Sequence, residues 1–204
     1  MMTLHRVLIY WLRLHIDKIH RIIWIIAPIY ALAISIVIIA ASLNPLIIAR
    51  GAVDLVLTLS GYRLSFLGEP RESPGLDYAV RISILHIAAL SITLASSIIV
   101  IARRRCRACR SLLLGAALVQ TTSLGIIRAV GTIAWHEVSI MIAATSMSET
   151  SAGIISFPAT EIEITWAGYI LLTPIYQTLV YILLALTIVA VTIDLYIGQK
   201  PSRL

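Results

Sequence analysis

Residues 82–110 read ISILHIAALSITLASSIIVIARRRCRACR. The run from Ile82 to Ala102 holds no charged residue, and the following eight positions hold five arginines, Arg103, Arg104, Arg105, Arg107 and Arg110. At about 1.5 Å of rise per residue, an apolar helix of this length reaches across a hydrocarbon core of about 30 Å. A span that ends abruptly in arginine stops at a headgroup layer. The stretch therefore reads as a transmembrane helix followed by a short basic connection.

Similar runs lie on either side of it. Ile22 to Leu43 forms a first expected span, ended by Asn44-Pro45; Ser111 to Ala134 forms a third, and Trp166 to Ile193 a fourth. The sequence thus predicts an all-α integral membrane protein built as a four-helix transmembrane bundle. Composition agrees. Of the 204 residues, 59% are apolar and 13% charged, 36 are isoleucine, and the mean hydropathy is +0.96. A water-soluble domain carries about 25% charged residues, so that class is excluded. One Asn, three Gln, and 14 Arg against two Lys match the economy in thermolabile residues of thermophile proteins.

Ahead of the first span, residues 1–21 place Leu4, Leu8, Trp11, Leu12, Ile16 and Ile19 on one helical face. Arg6, Arg13, Asp17, His20 and Arg21 lie on the other. That pattern predicts an amphipathic helix lying in the membrane interface. The connecting segments are then 44–81, 103–110 and 135–165, with a tail at 194–204. Lys and Arg sort by side: four in the N-terminal segment, five in the 103–110 connection and two in the tail, against Arg50, Arg63, Arg71 and Arg81 opposite. The positive-inside rule places both termini in the cytoplasm of a multi-pass cell-membrane protein, with anionic headgroups facing the arginine-rich side. Because the cations divide by membrane side, a nucleic-acid partner is not expected.

Segment 44–81 is apolar enough to suggest a fifth span, but Arg50, Asp54 and Arg63 fall inside it. Its finer period is two. Val53, Leu55, Leu57 and Leu59 alternate with Asp54, Val56, Thr58 and Ser60, and beyond Ser60-Gly61 the positions Tyr62, Leu64 and Phe66 alternate with Arg63 and Ser65. Alternation on both sides of a turn dipeptide predicts a β-hairpin. Ile162, Ile164 and Trp166 alternate with Glu161, Glu163 and Thr165 in the same way, so a small extracellular β-cap over the bundle is expected.

Polar residues within the spans are the site candidates. Arg128 lies inside the third span, where an arginine costs about 2.5–3.5 kcal/mol at mid-helix and less near an interface. His86, on the second span, is expected at similar depth. Together they suggest an outward-facing pocket for a quinone head group or an anion. The structural alternative has Arg128 reaching Glu137 or Asp77 while His86 bonds a neighbouring helix. Gln120, Thr121, Thr122 and Ser123 share a level with Ser91, Thr93 and Gln177, as a transport lining or as interhelical glue. Pro174 predicts a hinge or kink, and Asp194 a partner among the cytoplasmic arginines.

Cys106 and Cys109 stand in a CxxC spacing amid the arginines. The expectation is unpaired thiols in a headgroup-binding cluster, with half of a zinc site shared between two copies as the weaker option. No motif names a reaction, and no cofactor is implied. The function expected is a non-catalytic scaffold or accessory subunit of a membrane complex, docking other subunits or further copies of itself. A quinone- or cofactor-binding respiratory subunit and an oligomeric transporter component stand as alternatives.

Overall fold

A computed structural model describes residues 4–103, 106–152 and 159–198. In chain order the elements are α1 (Leu4–Ser42), β1 (Ile47–Arg50), β2 (Val53–Leu57), β3 (Tyr62–Phe66), β4 (Glu69–Pro70), α2 (Pro74–Ala102), α3 (Arg107–Ala152), β5 (Glu161–Ile164), α4 (Trp166–Leu172) and α5 (Pro174–Gly198). Four stretches are long and apolar enough to cross a membrane: Lys18–Ser42, Pro74–Ala102, Ala108–Ala143 and Pro174–Tyr196. The fold is mostly helical, with one small antiparallel sheet.

Three expected boundaries move. Nothing separates the amphipathic leader from the first span: α1 runs unbroken from Leu4 to Ser42, with Pro28 inside it. The stretch between residues 21 and 22 contains no glycine or proline to stop propagation. At the far end of α3 the helix continues past the expected limit at Ala134 to Ala152. Residues 135–152 are more polar than the span but contain neither glycine nor proline, and hydropathy marks where a membrane ends, not where a helix does. The fourth span is broken. α4 stops at Leu172, Thr173 adopts extended backbone (φ −92°, ψ 169°), and α5 starts at Pro174. Proline disfavours helical geometry in the residue before it.

α2 also begins before its apolar run, through its cap. Ser73 accepts the backbone N–H of Leu76 through Oγ at 3.1 Å and precedes Pro74 at the first helical position, the arrangement favoured at helix starts. The same Ser73 hydroxyl donates to Glu137 Oε2 of α3 at 2.8 Å. A carboxylate is thus held beside the α2 N-terminus, where the helix dipole favours negative charge. A β-carbon at Gly75 would meet the Glu137 carboxylate, so a side chain there would push that carboxylate from its place beside Ser73.

The expected hairpin forms. β2 pairs antiparallel with β3, from Val53 opposite Phe66 to Leu57 opposite Tyr62. Its connection is Thr58–Gly61, closed by Thr58 N–H to Gly61 O at 2.8 Å. The strand order is β4-β3-β2-β1-β5. β1 lies between β2 and β5, with Ile47 opposite both Leu57 and Ile164. Alternation decides the faces: Ile47, Ala49, Val53, Leu55, Leu57 and Leu64 are buried against the bundle, and Arg50, Asp54, Val56 and Arg63 are exposed. Gly51, at φ +136°, turns β1 into β2 against the Ala159 carbonyl, where a side chain has no room. The inward face of the sheet joins Ile34, Ile38, Leu90, Ile127 and Val180 in one apolar core. A second core near the arginine-rich end gathers Trp24, Ala27, Val100, Cys109, Leu113, Leu183 and Ala190.

Candidate functional site

The polar residues of the spans separate into two sets, although both use α3 and α5. The first is buried. His86 is fully enclosed, and Gln120 and Tyr176 are each 1% exposed. His86 Nδ1 lies 3.0 Å from Ser123 Oγ, and its Nε2 lies 3.4 Å from the Tyr176 hydroxyl. Ser123 donates to the backbone carbonyl of Gln120 at 2.8 Å, and the Gln120 side-chain amide donates to the Tyr176 hydroxyl.

One proton arrangement satisfies all of these contacts. If Ser123 donates to Gln120 O, it accepts from His86 Nδ1–H; His86 Nε2 then accepts from Tyr176 O–H, which accepts from Gln120. The result is a closed circuit from the Gln120 side chain back to its own carbonyl, around a neutral imidazole. The tautomer follows from the network, as ring protons must be assigned. Thr93 extends the circuit, its Oγ1 lying 3.3 Å from Gln120 Oε1 and 2.9 Å from Ala89 O. The rings of His86 and Tyr176 meet edge to face at 5.6 Å between centroids, a favourable aromatic geometry.

The second set faces outward. Arg128 is exposed and donates through Nη2 to Gln177 Oε1. Gln177 passes the chain on to Tyr181 Oη at 3.0 Å. Neither expected carboxylate is seen to pair with Arg128 among the described residues: Arg128 bonds Gln177, and Glu137 Oε2 takes the Ser73 hydroxyl. The α2–α3 contacts Ser73–Glu137, His86–Ser123 and Thr93–Ala116 define a register that sets Arg128 near the level of Arg81, at the sheet-proximal edge of the apolar zone. Beside it, a cleft of about 90 Å³ is lined by Leu124, Arg128, Thr173, Pro174, Tyr176 and Gln177. The helix break exposes this cleft, with the Thr173 hydroxyl turned back to the Tyr169 carbonyl at 2.5 Å.

Of the four span candidates, the fold joins His86 with Gln120, and Arg128 with Gln177. It does not join Arg128 with His86 in one pocket: His86 is not among the residues lining the cleft beside Arg128, and Tyr176, which is, contacts His86. His86 bonding a neighbouring helix, the structural alternative, is the observed arrangement. Tyr176 is the residue the sequence reading missed. Within an apolar run its ring reads as core, and only its hydroxyl, one position from Gln177, hinted at more. A shallower groove of about 480 Å³ runs past Gly75, Tyr78, Thr132, His136 and Glu137.

At the opposite end, Asp194 finds its arginine. Arg110 Nη1 lies 3.0 and 3.3 Å from the two Asp194 oxygens, and His20 Nε2 lies 2.8 Å from Oδ1. Trp24 Nε1 approaches the same His20 nitrogen at 2.9 Å, while the Arg110 guanidinium sits 5.1 Å from the Trp24 ring centroid. A single ring nitrogen either accepts from the indole or donates to the carboxylate, so the two contacts of His20 belong to different tautomers.

The expectation of unpaired thiols is overturned. Cys106 and Cys109 form a disulfide, with Cα atoms 5.2 Å apart. The spacing permits it because Cys106 immediately precedes α3 while Cys109 lies in its first turn, which brings the two β-carbons to one side. In this structure the two sulfurs are bonded to one another. Among the described residues no group of three or more His, Cys, Asp or Glu is placed to hold a metal ion. No protein-family model, curated protein or solved structure matches the chain.

Proposed function

We propose that the chain is a multi-pass cell-membrane scaffold or accessory subunit, with both termini and the arginine-rich connection in the cytoplasm and the sheet outside. The observation that carries this reading is the closed circuit around His86. The titratable and amide groups deepest in the bundle bond one another across α2, α3 and α5, which makes them a lock on helix packing. What remains for recognition lies outside the bundle. The sheet offers a charged outer face, with Val56 opposite Arg63 and Arg50 opposite Glu161. Its terminal strand β5 has Ile164 54% exposed. An edge strand of this kind accepts a partner by strand addition or side-chain docking, while the basic end binds anionic lipid.

The test is native mass. Extracted from its own membranes in a mild detergent, the protein is expected in a discrete complex larger than one 22.4 kDa chain with its micelle. Val56→Glu combined with Ile164→Glu should release the chain from that complex without changing its helical content. A wild-type protein that runs as a single chain in several mild detergents and in nanodiscs would overturn the reading.

A further inference from the structure

The arginine-rich end carries chemistry that a structural role does not use. Cys106 sits where an N-cap residue sits: it precedes the first residue of α3, and the backbone N–H of Cys109 points at its Sγ at 3.2 Å. A serine in that position would accept the same N–H through its hydroxyl. Here the acceptor is sulfur, and the positive end of a 46-residue helix favours charge on it. The two sulfurs differ in access. Cys109 is 6% exposed and packed with Trp24, Val100 and Leu113, whereas Cys106 is only partly buried. Arg103, Arg107 and Arg110 flank the pair in the chain. One sulfur is reachable and poised to carry negative charge; its partner is locked inside.

We propose that Cys106–Cys109 is a redox-active disulfide that exchanges with an external dithiol. The dithiol's first thiolate attacks Cys106 Sγ, forming a mixed disulfide; the Cys106–Cys109 bond breaks, and Cys109 Sγ leaves with the electron pair and takes up a proton. The dithiol's second thiolate then attacks its own first sulfur, closing the substrate disulfide. Cys106 is released as a thiolate, held by the Cys109 N–H and the helix end. Two electrons pass from the substrate dithiol, which is oxidised, to the cysteine pair, which is reduced; of the two protons the dithiol gives up, one ends on Cys109 and the other goes to solvent. The reverse sequence lets the reduced pair reduce an external disulfide. Attack at Cys106 is favoured over Cys109 because exchange needs an open approach to the attacked sulfur. This assignment stands independently of the scaffold reading.

The full-length protein in nanodiscs, isolated oxidised, provides the test. It is mixed with dithiothreitol or with reduced thioredoxin at equal dithiol concentration, and free thiols are counted by mass after alkylation. Reversible reduction with circular dichroism unchanged is expected. Faster reaction with thioredoxin assigns a protein dithiol as the substrate, and faster reaction with dithiothreitol assigns a small one. After reduction, iodoacetamide should modify Cys106 at least tenfold faster than Cys109, with the midpoint of its rate against pH below about 8.5, the ordinary thiol value. Cys109→Ser should trap a mixed disulfide with oxidised glutathione at Cys106, and Cys106→Ser should trap none. If neither dithiol reduces the pair short of unfolding, or if Cys106 alkylates no faster than Cys109, the pair is a structural cross-link and the proposal fails. Should Cys109→Ser not fold, the wild-type reduction and alkylation measurements decide the matter.

Discussion

Tyr176 and Gln177 are neighbours in the chain and opposites in the fold. Tyr176 turns inward, is 1% exposed and closes the circuit through His86, Ser123 and Gln120. Gln177 turns outward and links Arg128 to Tyr181 along the surface of α5. A helix advances 100° per residue, so consecutive positions fall on different faces. Both sets contain hydrogen-bonded polar groups at the same helix pair, yet their energetic roles should differ. An inward group that loses its partner has no water to replace it. An outward group at the edge of the apolar zone is open to its surroundings and can find replacement partners there.

The largest expected effect is at the inward position. Tyr176→Ala removes a buried aromatic ring and the hydroxyl that bridges His86 and Gln120, and should cost about 3–5 kcal/mol, as large-to-small aromatic changes in cores do. Equilibrium unfolding in a fixed detergent mixture would measure it, and a loss below about 1 kcal/mol would mean the site collapses without strain or was never tightly packed.

Gln120→Leu sharpens the comparison by keeping volume and removing only polarity. The Tyr176 hydroxyl loses its donor and Thr93 loses an acceptor, and a loss of about 1–3 kcal/mol is expected from unpaired buried groups. Interhelical hydrogen bonds in membranes average nearer 0.6 kcal/mol. A result at that lower level would show the network relaxing onto other partners such as the Ala89 and Ala116 carbonyls beside Thr93.

Arg128→Leu should do least. Outward substitutions away from packed features stay within about 0.5 kcal/mol, and removing the charge lowers the cost of inserting α3. Thermal unfolding beside wild type checks it. A loss as large as that of Gln120→Leu would break the comparison, placing Arg128 among the groups that hold the bundle together.

The hairpin was legible because its signal is local: a period of two in Val53–Leu57 and Tyr62–Phe66 is set by the pleat, whatever lies beneath it. β5 was legible for the same reason. β1 was not. Leu46-Ile47-Ile48-Ala49 is a short continuous apolar run without alternation, and such a run fits a strand or a helix equally until its neighbours are known. The sheet needed it, since β1 alone joins the hairpin to β5 across more than a hundred residues. Asp194 was legible in kind, because a charge in a span seeks an opposite charge, and Arg110 supplies it. Its second partner, His20, comes from α1, whose rotation about its own axis no local pattern reveals.

By itself the sequence determined the four apolar stretches, the crowding of arginine at one end and the alternation of the strands, each of which depends on neighbours a few residues apart. The tertiary structure alone decided that Arg128 bonds Gln177 and not a carboxylate, that His86 meets Tyr176 and not Arg128, and that the two cysteines are joined. For the span residues the reason is rotation and register: a helix face is set by position modulo 3.6, but which face of which neighbour it meets depends on how the helices turn and slide against one another. For the cysteines the reason is the start of α3, because only when Cys106 caps the helix and Cys109 occupies its first turn do two thiols in a basic run become a pair.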